Sequence, residues 1–316
     1  MAMLRQQIVG VLFCLATVCG HAQEQNVYPE GIGWINVKER YGAKGDGITD
    51  DTEALRRAVQ ERNEIYLDRV SLYLPDGIYL VRDTLTYRNG YYDCCVSIQG
   101  QSQAGTIIRL APFSPGYGDS LVPKPVLFTR AGNQSFHQNL RNLTIDIAEG
   151  NPGAVAVDYI ANNTGVIRDV TIRAAEGSGH TALAMDRAWP GPALISHVSI
   201  RGFHHGVTLG TAEYSMTFEH VSIDGCRSAG IVNNGGSAWI LGMKTEGFAH
   251  MSVTTAGGTT EVLGGLVYPA QSHADSIQPV AWIVDNARLS TMHTMTSYVP
   301  NGWYPIAVRE TGGVSK

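Results

Sequence analysis

The sequence predicts an all-β solenoid, and three observations predict it. A phrase of the form apolar, two variable residues, apolar, small or polar, apolar, polar recurs five times, centred on Leu143, Val170, Val198, Val221 and Met243. The intervals of 27, 28, 23 and 22 residues are those of a solenoid with one coil per repeat. Between the copies lie short apolar runs at 154–157, 181–184, 206–209 and 230–232, so each coil holds at least two strands. Composition agrees: 36 of the 316 residues are glycine and only 16% are charged, where average proteins carry roughly 7% and roughly 25%. Many short strands joined by tight corners need little else. Hydrophobic residues make up 44% and supply a core. The net charge is −5 and the longest basic run is Arg56-Arg57, which argues against a duplex nucleic-acid partner.

The elements follow in order from the N-terminus. Arg5 precedes an apolar run from Ile8 to Val18, and Gly20-His21-Ala22 supplies small residues at the positions before a cleavage point. Residues 1–22 therefore read as a signal peptide, and the mature chain, 23–316, is expected to be secreted, extracellular or periplasmic. The run is short for a membrane span, and no other segment is apolar enough for one. Of five cysteines, Cys14 and Cys19 leave with the signal; Cys94, Cys95 and Cys226 allow at most one bridge. No Cys-x-x-Cys or His-x-x-x-His spacing supports a metal site, and no cofactor is implied.

The mature chain, one domain in this reading, opens with an N-terminal strand, loop and cap helix over 23–65. Ile35-Asn36-Val37 reads as a short strand. Gly42, Gly45 and Gly47 force a compact loop. Asp50 and Glu53 have capping-box spacing, and Ala54, Leu55, Ala58 and Val59 make one apolar face of a short helix ending near Arg62-Asn63. Strands are expected at 71–74 and 78–81, with a turn at Pro75-Asp76-Gly77. The glycine-rich loop does not match a phosphate-binding pattern, and Asp50-Asp51 would repel phosphate.

The stretch from Gly42 through Thr52, followed by Leu74-Pro75-Asp76-Gly77-Ile78-Tyr79, resembles the opening of the pectate-lyase superfamily domain. That resemblance covers roughly residues 34 to 83 strongly and the repeating body more loosely. It implies a single-stranded right-handed parallel β-helix with a short N-terminal capping α-helix, and a polysaccharide or oligosaccharide as substrate. The body is most similar to the N-terminal β-helix of family 55 glucanase-like glycoside hydrolases. Those enzymes pair two β-helices, whereas this chain has room for one. The polygalacturonase-like signatures are incomplete here, since His205-Gly206 lacks its partners, so the active residues of those enzymes do not carry over.

Stacked coils then point to a site. Alternate residues of each strand face outward, and equivalent residues of successive coils lie about 4.8 Å apart. One outward column reads Asp146, Arg173, Arg201, Asp224, Glu246; another reads Thr144, Thr171, Ser199, Ser222, Lys244; the turn before them reads Asn142, Asp169, His197, His220, Gly242. Asp224 and Glu246 become neighbouring carboxylates, the pairing glycoside hydrolysis uses at about 5 to 9 Å. Like charges side by side also raise one pKa, which suits a general acid. The alternative is a solvated ladder of alternating charge. Arg201 and His220 are expected to bind an acidic or hydroxylated sugar. Trp189, on the loop Ala188-Trp189-Pro190-Gly191-Pro192, is the aromatic expected to stack on a sugar, whereas Trp239 and Trp282 read as core or end-capping residues. Three readings follow: a secreted glycoside hydrolase, a lyase acting by β-elimination, and a non-catalytic carbohydrate-binding or adhesive β-helix.

Overall fold

A computed structural model describes residues 27, 33–61, 69–88, 94–211, 213, 215–247, 250–269, 280–298 and 302–312. The expected signal peptide at 1–22 lies outside the described residues, as do 62–63, where the first long helix is expected to end; the helix ends earlier, at Val59. The rest is a right-handed parallel β-helix. One sheet stacks the long strands Gln138–Ile147, Gly165–Ala174, Ala193–Arg201, Ser215–Asp224, Ser237–Glu246, Thr259–Tyr268 and Arg288–Met295 in chain order. A second stacks the short strands from Leu85–Thr86 to Ile306–Thr311. All pairings in both sheets are parallel.

Each long strand bends in its middle at a residue of positive φ. The bend column is Asn142, Asp169, His197, His220, Gly242, Gly264 and His293, with φ between 49° and 78°. Asn, Asp, His and Gly are the residues that tolerate this conformation best, so the chemistry of the column explains why the bend recurs at one register. The earlier coils make the same corner with a loop: Val96–Gly100 pairs with the first half of Gln138–Ile147, and Thr106–Leu110 with the second. Each full coil thus has three outer faces: the two halves of the long strand and the short strand.

The interior is filled by ladders. Leu143, Val170, Val198, Val221 and Met243 stack in one, Ile145, Ile172, Ile200 and Ile223 in another, and Leu183, Val207 and Ile231 on the short-strand side, all buried. The N-terminal end is closed by the helix Thr52–Val59, whose Leu55, Ala58 and Val59 are buried against the core. At the other end Ser297–Tyr298 and Gly302–Trp303 pair antiparallel, and Tyr304 is buried beside them while Trp303 is exposed.

Local expectations changed in three places. The first strand stops at Asn36, whose side chain accepts the Lys38 N–H at 3.0 Å and starts a five-residue helix, Val37–Tyr41. The expected capping box is absent: Asp50 accepts from the Thr52 N–H and hydroxyl, and Glu53 turns to Arg56. Asp51 is buried instead and receives the Lys44 and Gly45 N–H groups at 2.7 and 2.9 Å, which clamps the glycine loop. Within that loop Asp46–Asp50 is a strand against Gly77–Val81. A Cβ at Gly77 would lie 2.4 Å from the Gly45 carbonyl oxygen, so this crossing requires glycine. Cys94 and Cys95 are bonded to each other, and Cys226 is a buried free thiol. No helix among the described residues is long and apolar enough to cross a membrane.

Candidate active site

The outward column of the second long-strand half is in register over the whole body. Arg109 pairs with Asp146, Asp146 with Arg173, Arg173 with Arg201, Arg201 with Asp224, Asp224 with Glu246, and Glu246 with Tyr268. Asp224 and Glu246 are therefore lateral neighbours on adjacent coils, with their backbones about 4.8 Å apart. Each sits at the end of its long strand, directly after a buried residue, Ile223 or Thr245.

Their environments differ. Burial raises the Asp224 carboxyl above its ordinary range; Arg201, whose Nε lies 3.8 Å from Asp224 Oδ2, opposes this and the Glu246 charge adds to it. The Glu246 carboxylate is held below its ordinary range, first by the Lys244 ammonium hydrogen-bonded to it and then by the Tyr268 hydroxyl, which donates to Oε1. Environments that push two carboxyls apart are those that separate an acid from a base or nucleophile. Beside the pair a hollow of about 430 Å³ opens at the bend of three coils, lined by His220, Ser222, Gly242, Lys244, Gly264 and Leu266 among others. His220 sits there with its ring 5.1 Å from that of His197. Gly242, Gly264 and Gly265 add no side chains to its lining.

Toward the N-terminus the same column becomes basic. Asp146 is clamped by Arg109 (Nε 2.8 Å, Nη2 2.7 Å) and by Arg173 (3.2 Å). Those three residues, with Gly47, Leu80 and Glu149, line a second hollow of about 670 Å³. Arg201, next in line, is largely exposed.

Arg201, His220, Asp224 and Glu246 are thus brought to one side of the solenoid, and Trp189 is not. Trp189 lies at the corner leading into Ala193–Arg201, its backbone N–H donating to the Glu213 carboxylate at 2.9 Å. A whole strand separates it from Arg201. Trp282 is buried, as its apolar setting predicts, but Trp239 is 45% exposed. Strand alternation explains the correction: Ala238 and Ile240 point inward and are buried, so the indole between them must point out.

Sequence reasoning missed the ion pair on the short-strand face. Arg187 Nε donates to Asp158 Oδ1 at 2.5 Å, Nη2 donates to the Thr129 and Asp158 carbonyl oxygens, and the guanidinium lies 4.0 Å over the Phe128 ring. Burial raises the Asp158 carboxyl; Asp186, bonded to the Thr208 hydroxyl, is raised by the protein around it and by Asp158, although its side chain reaches solvent. Both carboxyls move the same way, which does not divide acid from base, and Arg187 ties three coils together. The pair is a clamp. Its signal was Arg187 three residues beyond the position that stacks on Asp158. Similarly, His180, His204 and His205 cluster on that sheet with ring centroids 4.4 to 5.9 Å apart; burial, then its two neighbours, lowers His205 to about 4. Among the described residues no group of three or more His, Cys, Asp or Glu side chains is placed to hold a metal ion.

Comparison with known proteins agrees with this architecture. The family described as rhamnogalacturonase A/epimerase, pectate lyase-like, matches residues 34–250. A glucan 1,3-beta-glucosidase of Cochliobolus carbonum is 27% identical over 203 residues, 57% of this chain and 24% of its own length. Alginate lyase 7 of Azotobacter vinelandii is 29% identical over 147 residues, 45% of this chain and 16% of its own. The mannuronan C5-epimerase AlgE6 of the same organism is 27% identical over 199 residues, 58% and 21%. The chain spans about a quarter or less of the length of these relatives. Among solved structures, ORF18 of Geobacillus virus E2 superposes with a TM-score of 0.53 at 15% identity, over 81% of this chain and 52% of that one.

Proposed function

The chain belongs to the rhamnogalacturonase A/epimerase, pectate-lyase-like family, and from that premise we propose that it is a secreted glycoside hydrolase that cleaves a polysaccharide with Asp224 as general acid and Glu246 as nucleophile. One observation carries the reading: two carboxylates in register on adjacent coils, with proton affinities displaced in opposite directions, next to a hollow lined in part by Lys244, the partner of Glu246. In the first step protonated Asp224 gives its proton to the glycosidic oxygen while Glu246 attacks the anomeric carbon from the other side. In the second, ionised Asp224 takes a proton from water, which displaces Glu246. Strand spacing fixes the backbones and not the carboxyl groups; this double displacement requires carboxyls about 5 to 5.5 Å apart, whereas an inverting enzyme needs room for a water between them. Arg201 would hold a sugar substituent next to the acid, and Lys244 and Tyr268 keep Glu246 ionised.

The test is a polysaccharide screen on residues 23–316, following reducing ends, ultraviolet absorbance of unsaturated products, and the anomeric configuration of the first product by NMR. The expected result is new reducing ends, no absorbance and a retained configuration, lost in Asp224→Asn and in Glu246→Gln with unchanged thermal transitions. Full activity in both variants would refute the assignment. A second reading, elimination on a uronate polymer, is favoured by the largely exposed Arg201 next to the pair and by Arg109 and Arg173 around Asp146 farther along the column. Absorbance together with reducing ends would establish it.

A further inference from the structure

The first half of the long strands carries an outer face unlike the charged column around the bend. On Ser237–Glu246 the side chains of Trp239 and Leu241 both point outward and are 45% and 42% exposed. The neighbouring coils place Thr217 and Glu261 on either side of Trp239, with Ser290 beyond Glu261. Leu263 and then Met292 follow Leu241 in register, and both are exposed. The result is a flat grid of three coils: one row reads Trp239, Glu261, Ser290, and the next Leu241, Leu263, Met292. Rows are about 6.6 Å apart and coils about 4.8 Å.

An exposed apolar patch on a sheet calls for an occupant, and the polar members of the grid decide which. Glu261 is half-buried among these residues and, among the described residues, has no hydrogen-bond or ion-pair partner. A protein surface laid over the patch would bury that carboxylate at its centre, where interfaces are depleted in charge. A sugar ring would not. Its C–H face covers the indole and the leucines, while its hydroxyls donate to Glu261 and exchange hydrogen bonds with Ser290 and Thr217. Glu219, beside Leu241, adds a second negative charge at the rim. A uronate would be repelled here, whereas it would be attracted to the arginines on the other face.

We propose that this face is a binding platform for neutral sugar residues, with Trp239 as its stacking residue and Glu261 as its acceptor. It lies about 23 Å along the strand from Glu246, seven residues at strand rise, so it binds carbohydrate whether or not the carboxylate pair is the catalytic one. The experiment is affinity electrophoresis of residues 23–316 in gels containing laminarin, mannan, xylan or polygalacturonate, with tryptophan fluorescence titration and sedimentation velocity on the same samples. Retardation by a neutral polymer is expected in the wild type and in Asp224→Asn alike. It should fall about tenfold in Trp239→Ala, recover in Trp239→Phe, and weaken in Glu261→Gln, with no change in thermal transition. Three results would overturn the proposal: no retardation by any neutral polymer, retardation indifferent to Trp239, or retardation by polygalacturonate alone. A concentration-dependent dimer that Trp239→Ala dissociates would assign the face to a second copy of the chain and overturn it as well.

Discussion

Replacing Val198 with aspartate tests the inward and outward phase on which every outer-face assignment depends. Val198 is 1% exposed and stacks on Val170 in the interior ladder. The substitution forfeits about 1.5–3 kcal/mol of apolar burial. It also strands a carboxylate among valines and isoleucines, which costs several kcal/mol more even after the group neutralises. The sum, on the order of 5 kcal/mol, rivals the whole stability of many domains. Two controls bracket it. Val198→Ala removes two methyl groups, about 1.6 kcal/mol by transfer, plus a cavity term. Ser199→Asp changes the next residue, which is exposed, and should move stability by less than about 0.5 kcal/mol. Urea unfolding followed by far-UV circular dichroism reads all three. Each coil contacts only its neighbours, so the Val198→Asp protein should lose structure around its own coil first and show a broadened transition. A Val198→Asp protein with the wild-type midpoint, or a Ser199→Asp protein that fails to fold, would mean that the strand is slipped by one residue. Asp224 and Glu246 would then point into the core.

Two further substitutions test the electrostatics. Lys244→Met removes the main cause of the depressed Glu246 carboxyl, so the acidic limb of the pH–activity profile should move to higher pH while the basic limb, set by the raised Asp224, stays nearly in place; an unmoved acidic limb would detach Glu246 from the reaction. The same shift carries a stability sign: a depressed folded-state carboxyl stabilises above its unfolded pKa and loses that contribution as pH falls through the folded value, so Lys244→Met should cost stability at neutral pH and little in strong acid. Arg187→Met leaves Asp158 buried without its cation, a loss on the order of 3 kcal/mol, visible as a lower urea midpoint at neutral pH and a smaller deficit below the raised Asp158 pKa, where the lone carboxyl is protonated; an unchanged midpoint would show that the clamp contributes nothing.

Much of this fold was legible because a solenoid writes its geometry in one dimension. The phrase around Val170, Val198 and Val221 repeats because equivalent residues pack only on their copies one coil away, so spacing in sequence translates directly into neighbours in space. The columns of Asp224 with Glu246, and of Ser222 with Lys244, could be read that way. What could not be read depends on contacts across coils and around corners. The Asp158–Arg187 pair is offset along the strand as well as between coils. Lys244 was visible as a column member, but its turn toward Glu246 is a choice of side-chain conformation. Trp239 reads in sequence as a core or end-capping residue although its alternation puts it outside; the phase of the strand outranks the hydrophobicity of one residue. Asp51 closes the glycine loop through two backbone N–H groups, a bond pattern that requires the folded loop to exist.

The same one-dimensional rule bears on specificity. Each coil contributes one residue to each outer column, so a column is a string of subsites whose chemistry is set coil by coil. Along the second long-strand half the string runs from Arg109, Asp146, Arg173 and Arg201 to carboxylates at 224 and 246 and the hydroxyl of Tyr268. Along the first half, from the coil of Glu246 onward, it is indole, leucines and a carboxylate without a partner among the described residues. The interior ladders do not sense these differences, because the outward residues are not part of the core packing. Changing one outward residue therefore alters a subsite at little cost in stability, while changing an inward one breaks the stack. An acid-binding stretch, a carboxylate pair and a neutral platform can occupy the same few coils for that reason, and each can be tested by substitution without disturbing the others.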